Sequence, residues 1–254
     1  GKAQQVLYPK VYLAKQPAKS VDAMGGIISG KAIVSNTNAD ILNQGIMTAD
    51  TIVLGAHDVE NTGRIDGRKV TIKASQDVIN TGNIHGDKQV YINAGRDINV
   101  GTEVDRLQHQ DVVGRQGTIG VGEKGDLHLS AKRDINLKGA IVHTGENSKA
   151  TIEAGQNINL TTEALSAKKD MTVNSENYNR TDRRTELGTA ILSDSNVNLH
   201  AGNDVNIRNG IVNSEHGVKS VEAGNDVNIT NGKSYSRDEY GLKYKEKSLL
   251  SRTT

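Results

Sequence analysis

The chain has 254 residues, room for one large domain or two ordinary ones. Its 31 Lys+Arg against 30 Asp+Glu leave a net charge of +1, which gives no electrostatic reason to expect nucleic acid or an anionic membrane as partner. With no Cys there is no disulfide framework and no zinc-thiolate site. With no Phe or Trp the core must come from Val, Ile, Leu and Ala, which suits a thin core of uniform slots.

Residues 1–25 form a leading segment. They show no signal-peptide pattern and no apolar run of membrane-span length, so the chain is expected to be a piece of something longer. Both prolines, Pro9 and Pro17, lie here. Proline removes a ladder donor, so the proline-free remainder fits a chain of strands and tight turns.

Residues 26–232 are repetitive. A signature of Ala-Gly-x-Asp/Asn-Ile/Val-Asn-aliphatic appears as AGRDINV (94–100), AGQNINL (154–160) and AGNDVNI (201–207 and 223–229). Looser copies are AHDV (56–59), ASQDV (74–78), AKRDINL (131–137) and AKKDMTV (167–173). From Asp58 to Asp77 to Asp97 the step is about twenty residues, and longer later steps imply insertions. Each unit holds two short alternating runs, for example around Val70-Thr71-Ile72 and Val78, then Val90-Tyr91-Ile92 and Ile98-Asn99-Val100. Period-two alternation means strand. Between the runs, Asn-Thr-Gly (61–63 and 80–82), Asp66-Gly67 and Ala-Gly-x-Asp are turn chemistry, and Gly63, Gly67, Gly82 and Gly86 can take positive φ.

Such short strands cannot bury an apolar face alone, but stacked units can. The expected fold is therefore all-β: a right-handed parallel β-helix with coils of about 20 residues. About ten coils rising ~4.8 Å each would make a shaft of roughly 50 Å. Ile72 should stack on Ile92, and Asn61 on Asn80 as an amide ladder. Gln89, the surplus residue of the second unit, should bulge before Val90. Leucine-rich, helical and calcium-binding nonapeptide repeats lack their consensus here.

Three stretches break the pattern: 101–117, 174–189 and 233–254. They are expected as excursions off the shaft, hairpins being one form. The last, charged and rich in Tyr and Lys, would extend the shaft as a closing segment. The second and third look related, since each carries Tyr-x-Arg (Tyr178/Arg180 and Tyr235/Arg237) and ends in a small apolar-Ser run. Exposed Tyr is a good contact residue, so Tyr178, Arg180, Tyr235, Arg237, Tyr240 and Tyr244 are the candidate partner-contact residues.

Catalytic, cofactor-binding and metal residues are not expected. The seven histidines form no H-x-H or H-x-x-x-H arrangement, and His57 and His85 are expected in solvated turns. The repeated acids Asp58, Asp77, Asp97, Asp134, Asp204 and Asp226 should each bond their own backbone and shape a turn. Gly120-Val121-Gly122 lacks the Lys-Ser/Thr of a phosphate loop.

The units AGRDINV, AGQNINL and AGNDVNI, joined by NTGRIDG and NTGNIHG, resemble filamentous haemagglutinin repeats. The resemblance covers about residue 30 to the end, and the YKEKSLLSRTT tail (244–254) resembles the later repeat block of contact-dependent growth inhibition proteins. Members of that family are large exoproteins of two-partner secretion systems: adhesins, haemolysins and growth-inhibition effectors. The resemblance implies a non-enzymatic stalk and interaction segment, secreted and standing on the bacterial cell surface as a monomeric fibre. It implies export by an outer-membrane partner transporter, contact with host or neighbouring cells, and a C-terminal effector beyond the repeats. The repeats carry no family catalytic residues to transfer. The alternative is a carbohydrate-active β-helix enzyme such as a polysaccharide lyase. Such an enzyme wants an aromatic-lined groove with clustered acids and bases.

Overall fold

The computed structural model describes residues 26–243. The described chain contains strands, turns and bends and no helix. Parallel sheets stack as a β-solenoid of about nine turns at a spacing of about 22 residues. The fold class is thus the one the repeat implies, with slightly fewer and longer coils.

Each coil has three straight segments rather than two. Strand Arg64–Ala74 bends beside Arg68, so that residues 64–67 lie on a first face and 69–74 on a second. Val78–Asn80 forms the third face. The chain bends at Asn61-Thr62-Gly63 and Asn80-Thr81-Gly82 as expected, but the turn expected at Asp66-Gly67 is corrected: residues 64–67 and 83–86 are strand, paired in register from Arg64–Asn83 to Gly67–Gly86. Ile65 and Ile84 point inward, fully buried, in a core column with Met47, Ile119, Val142 and Ile191. A single apolar residue between glycines cannot display a period of two, so the sequence hid this face.

The second face supplies two more columns. Leu54, Ile72, Ile92, Leu129, Ile152 and Leu199 stack in one, with Ile72 on Ile92 as expected. All are essentially inaccessible. Each buried aliphatic of this size contributes about 1.5–3 kcal/mol. Coils rising ~4.8 Å leave one aliphatic-sized slot per coil, which explains a core without Phe or Trp.

The surplus residue of the second unit is not Gln89. Gln89 pairs with Lys69, and the register shift falls at the bend, where Asp87 and Lys88 stand against Arg68 alone. An exposed corner absorbs an extra residue without disturbing the Val70–Val90 pairing that follows.

The positive φ open to the turn glycines is not what they use. Gly139 (φ 62) is the positive-φ glycine among the described residues, so Gly63, Gly67, Gly82 and Gly86 do not need left-handed backbone. They need close approach. A Cβ on Gly82 would sit against the Gly63 carbonyl and 2.8 Å from Thr62 C, and one on Gly63 would meet Gln44 C at 2.8 Å. The corners of successive coils lie backbone on backbone.

The expected amide ladder exists and is an interior one. Asn43, Asn61 and Asn80 are buried on the third face, with Asn43 Nδ2 donating to Asn61 Oδ1 and Asn61 Nδ2 to Asn80 Oδ1, each at 2.7 Å. From Val100 onward the same inward position is aliphatic, in Leu137, Leu160 and Ile207. A second, outward ladder then begins: Asn136 donates to Asn99 at 2.9 Å, Asn159 to Asn136 at 2.8 Å and Asn206 to Asn159 at 2.9 Å.

The Ala-Gly-x-Asp signature now has a reason at each position. Ala94, Ala131, Ala154 and Ala201 point into the core at the corner. Gly95 lies so close to the previous coil that a Cβ would meet Ser75 C at 2.7 Å. The acid does not bond its own backbone as expected. It accepts the amide of its counterpart one coil on: Asp77 N donates to Asp58 at 2.8 Å, Asp97 N to Asp77 at 3.1 Å and Asp134 N to Asp97 at 3.1 Å. The x position adds charge, since Arg96 pairs with Asp77 and Arg133 with Asp97. The Arg96 guanidinium holds the Asp77 carboxyl below its usual range, against the opposing effect of burial.

Candidate functional site

Between the third face and the first, the chain either turns tightly or leaves the shaft. Early coils turn at Asn61-Thr62-Gly63 and Asn80-Thr81-Gly82. Later tight corners use the left-handed residues Gly139 (φ 62) and Asn209 (φ 46). Elsewhere the chain leaves. Strand Ile98–Arg106 runs off the shaft and pairs antiparallel with Asp111–Gln116, giving a first hairpin. Glu163–Asn174 and Asn177–Leu187 form a second. Tyr235–Gly241, following the third-face strand Val227–Thr230, adds antiparallel to Asn177–Leu187. The first two expected excursions are therefore antiparallel hairpins, and the described part of the third is an antiparallel strand; residues 244–254 of it lie outside the described residues.

One coil assignment is overturned by this. AKKDMTV (167–173) belongs to the outgoing arm of the second hairpin, with Met171 and Val173 exposed. Alternation of period two reads the same in a coil and in a hairpin.

The first hairpin is locked to the second by a polar cluster. Arg106 donates to Asp111 at 2.6 Å and Glu163 at 2.5 Å. Asp111 also accepts the Ser166 amide at 2.7 Å and its hydroxyl at 2.9 Å. The Ser166 amide above all holds the Asp111 carboxyl below its usual range. Lys138 reaches up from the shaft to Glu163 at 2.7 Å. A bridge from Gln110 to Ala167 and the bond from Lys168 N to His109 O, 2.6 Å, bring the hairpins edge to edge. The excursions together make a lateral sheet standing on one corner of the shaft.

Five of the six candidate contact residues meet on this sheet. Tyr178 lies opposite Gly241, Arg180 opposite Glu239, Asp182 opposite Arg237 and Arg184 opposite Tyr235. Directly opposite residues share a face. Tyr178, Arg180, Tyr235 and Arg237 thus occupy one face, with Arg184, Lys168 and Asp170. Arg180 lies over the Tyr178 ring at 5.0 Å and donates to Asp170 at 3.3 Å. Arg184 lies over Tyr235 at 5.8 Å, and Arg237 pairs with Glu239. Two cations thus lie over tyrosine rings on one face, that of Tyr178 half-buried and that of Tyr235 exposed. Tyr240 faces the other way, aligned across Asn179 with Met171, and is 78% exposed. On that side the tip of the first hairpin borders a groove of about 530 Å³, lined by His109, Ala167, Lys169, Met171 and Thr181. Tyr244 lies outside the described residues.

The two Tyr-x-Arg segments are not equivalent copies. One is in the returning arm of a hairpin and the other in an outgoing strand, and they run antiparallel as neighbours. Sequence reasoning passed over Lys168, Asp182 and Arg184, which only the pairing places beside the tyrosines. Asp182 Oδ1 is the buried side-chain oxygen without a hydrogen-bond partner among the described residues.

Two clusters bring three potential ligand atoms together: Asp40, His57 and Asp58, and Asp194, Glu215 and His216. Coil stacking accounts for both. His57 precedes Asp58 as Arg96 precedes Asp97, and bonds Asp40 at 3.2 Å. His216 bonds Asp194 at 2.7 Å, while Asp194 also accepts the Asn147 amide at 2.8 Å. His57 sits in a bend as expected, but His85 does not: it lies on strand Asn83–Ala94, stacked on His143 with ring centroids 6.2 Å apart.

These histidines set opposite pH dependences. The hydrogen bond to Asp194 raises His216 above its ordinary 6.5, so its contribution is complete below pH 6.5 and is lost as pH rises through the folded value. Burial, then His85, lowers His143 below 6.5, so protonation weakens the fold as pH falls from 6.5 to the folded value. In urea melts against pH, His216→Asn should abolish the decline on the alkaline side. His143→Gln should flatten the profile just below pH 6.5 and leave the carboxylate-driven loss at lower pH in place. Unchanged profiles would refute both assignments.

No protein-family model, curated protein or solved structure matches the chain.

Proposed function

We propose that this chain is a non-enzymatic stalk and interaction segment of a large secreted bacterial surface exoprotein, serving adhesion or contact-dependent growth inhibition and presenting or delivering a C-terminal effector. The observation that carries this reading is the division of labour between shaft and lateral sheet. The repeated acids and amides of the shaft, which a catalytic reading would recruit, are engaged in bonds to the neighbouring coil. The tyrosines and stacked arginines stand outside it. Contacts between adjacent coils let such a shaft form coil by coil as it emerges from an outer-membrane partner transporter, without ATP. The resemblance to filamentous haemagglutinin repeats supports the same reading.

The test is a triple variant, Tyr178→Ala, Arg180→Ala and Tyr235→Ala, displayed beside the wild type. Adhesion to neighbouring bacterial or host cells should fall about tenfold, the loss of ~1.4 kcal/mol, with the melting curve of the shaft unchanged. Equal adhesion would refute the sheet as the contact surface. Turnover of pectin, other uronic-acid polymers or glycosaminoglycans by the wild type would overturn the stalk reading in favour of a lyase.

A further inference from the structure

Strand Tyr235–Gly241 ends the lateral sheet, and among the described residues its outer edge has no paired strand. Which backbone groups stand on that edge follows from the opposite side of the sheet. Lys168 N bonds His109 O, so the backbone of Lys168 faces the first hairpin. Alternate residues of an antiparallel strand bond alternate neighbours. Lys168 lies opposite Asp182 and Asp182 opposite Arg237, so Arg237 bonds inward. Ser236, Asp238 and Tyr240 therefore hold their N–H and C=O groups on the outer edge. Natural edges are commonly blunted by lysine, proline or a bulge. The arm Glu163–Asn174 has such devices where it passes the first hairpin: Lys168, Lys169 and a register shift between Thr172 and Asn174. The strand YSRDEYG (235–241) has no lysine and no proline, and it pairs with Asn177–Leu187 without a shift.

We propose that this edge pairs with the same edge of a second copy of the chain, antiparallel about a two-fold axis at Asp238. The strand is self-complementary in that register. Arg237 stands opposite Glu239 of the second copy, and Glu239 opposite its Arg237. Tyr235 stands opposite its Gly241. The strand already makes these oppositions with its inner neighbour, where Arg180 faces Glu239 and Tyr178 faces Gly241. The Tyr178 ring lies so close over that glycine that a Cβ there would meet Cε1 at 2.7 Å. A Tyr-x-Arg strand held on the inner edge is thus matched on the outer edge by the second copy's own Tyr235-Ser236-Arg237. Ser236 would exchange backbone bonds with Tyr240 of the second copy, and the two Asp238 with each other. Asp238 on its own counterpart is the one like-charge pair, and Arg183 lies 3.8 Å from its carboxylate. Moving the axis one residue either way would set Arg237 or Glu239 on itself, with both charges on one face. The contact is isologous and closed, so it makes pairs of shafts where the resemblance implies a monomeric fibre. A seven-residue strand pair is small beside the ~1,600 Å² of a standard interface. It is transient in dilute solution and favoured where many copies stand on one surface.

The chain has no cysteine, so a single introduced thiol reports on one position. In the paired copies the two residues 238 would have Cα atoms ~5.5 Å apart, within the ~4.4–6.8 Å that a disulfide spans. The two residues 236 would be about 14 Å apart. In oxidised glutathione, full-length Asp238→Cys should form covalent dimer at least tenfold faster than Ser236→Cys, which shares its edge and face. Equal rates would mean random collision and would overturn the proposal. Hydrogen exchange of the wild type gives a second reading. Between micromolar and millimolar chain, the amides of Ser236, Asp238 and Tyr240 should slow at least tenfold, while those of Arg237 and Glu239, bonded inward, stay constant. Asp238→Pro removes an outward donor and leaves the inner ladder intact, so it should abolish the concentration dependence at Ser236 and Tyr240. Protection at every concentration would assign the edge to the same chain, and fast exchange at every concentration would leave it without a partner. Either result would overturn the proposal. Cell adhesion enters neither readout, so its failure is separable from that of the proposed function.

Discussion

Gly82→Ala should cost the fold about 3 kcal/mol, a large effect for one methyl group. Overpacking is usually relieved by a rotamer change, but here the obstacles are main-chain atoms. The new Cβ would collide with the Gly63 carbonyl and approach Thr62 C at 2.8 Å and the ladder amide Asn61 Nδ2 at 2.9 Å. Relief would require two coils to part, breaking the bonds from Thr81 N and Gly82 N to Asn61 O at 3.0 and 3.1 Å. Gly101→Ala is the control. The nearest atom to its Cβ would be Lys138 O at 4.0 Å, so the expected change is within about 0.5 kcal/mol. Urea unfolding of the two variants should separate them clearly. Equal midpoints would show that close approach is not what glycine provides at these corners.

Asn61→Asp should be nearly as severe and should depend on pH. The Asn61 side chain accepts from Asn43 and donates to Asn80 Oδ1, Asn83 O at 3.2 Å and Gly63 O at 3.3 Å. An ionised carboxylate keeps the first bond and sets its second oxygen against three acceptors. The expected loss at pH 7 is about 3 kcal/mol. Burial among acceptors would hold the new carboxyl above the ~3.9 of an unfolded Asp. The folded variant would then bind the proton more tightly than the unfolded chain. Its deficit should shrink as pH falls through that raised value and reach its minimum below ~3.9. A deficit constant from pH 7 to pH 4 would mean that the ladder is not buried or not amide-specific.

The parts that were legible in the sequence are those a stacked repeat writes directly into the residue order. Ile72 over Ile92 and Asn61 over Asn80 follow from setting one unit on the next. What stayed hidden depends on pairs of residues remote in sequence. In the two units quoted, the first face rests on a single isoleucine each, Ile65 and Ile84. The Asp58–Asp77 bond joins coils, and a turn residue read alone looks as if it serves its own turn. AKKDMTV has the alternation of a coil, and only the opposition of Lys168 to Asp182 shows that it is a hairpin arm. The proposed contact surface was half visible. Tyr and Arg stood out in an aromatic-poor chain, yet nothing local says that Tyr235 lies opposite Arg184, or that Tyr240 faces away from Tyr178.

The central claim is that distance along the shaft is counted in coils, whatever the number of residues between them. One outward column runs from Val53 through Thr71, Tyr91, His128, Thr151 and Asn198 to Ser220. Spin labels at Val53 and, in turn, at Thr151, Asn198 and Ser220 should give distances of about 19, 24 and 29 Å, four, five and six coil steps. The step from Thr151 to Asn198 spans a hairpin, and the step from Asn198 to Ser220 does not. Equal increments of ~5 Å are the predicted result. An increment for the first step that grows with its longer stretch of chain would contradict the stacked shaft and its lateral excursions.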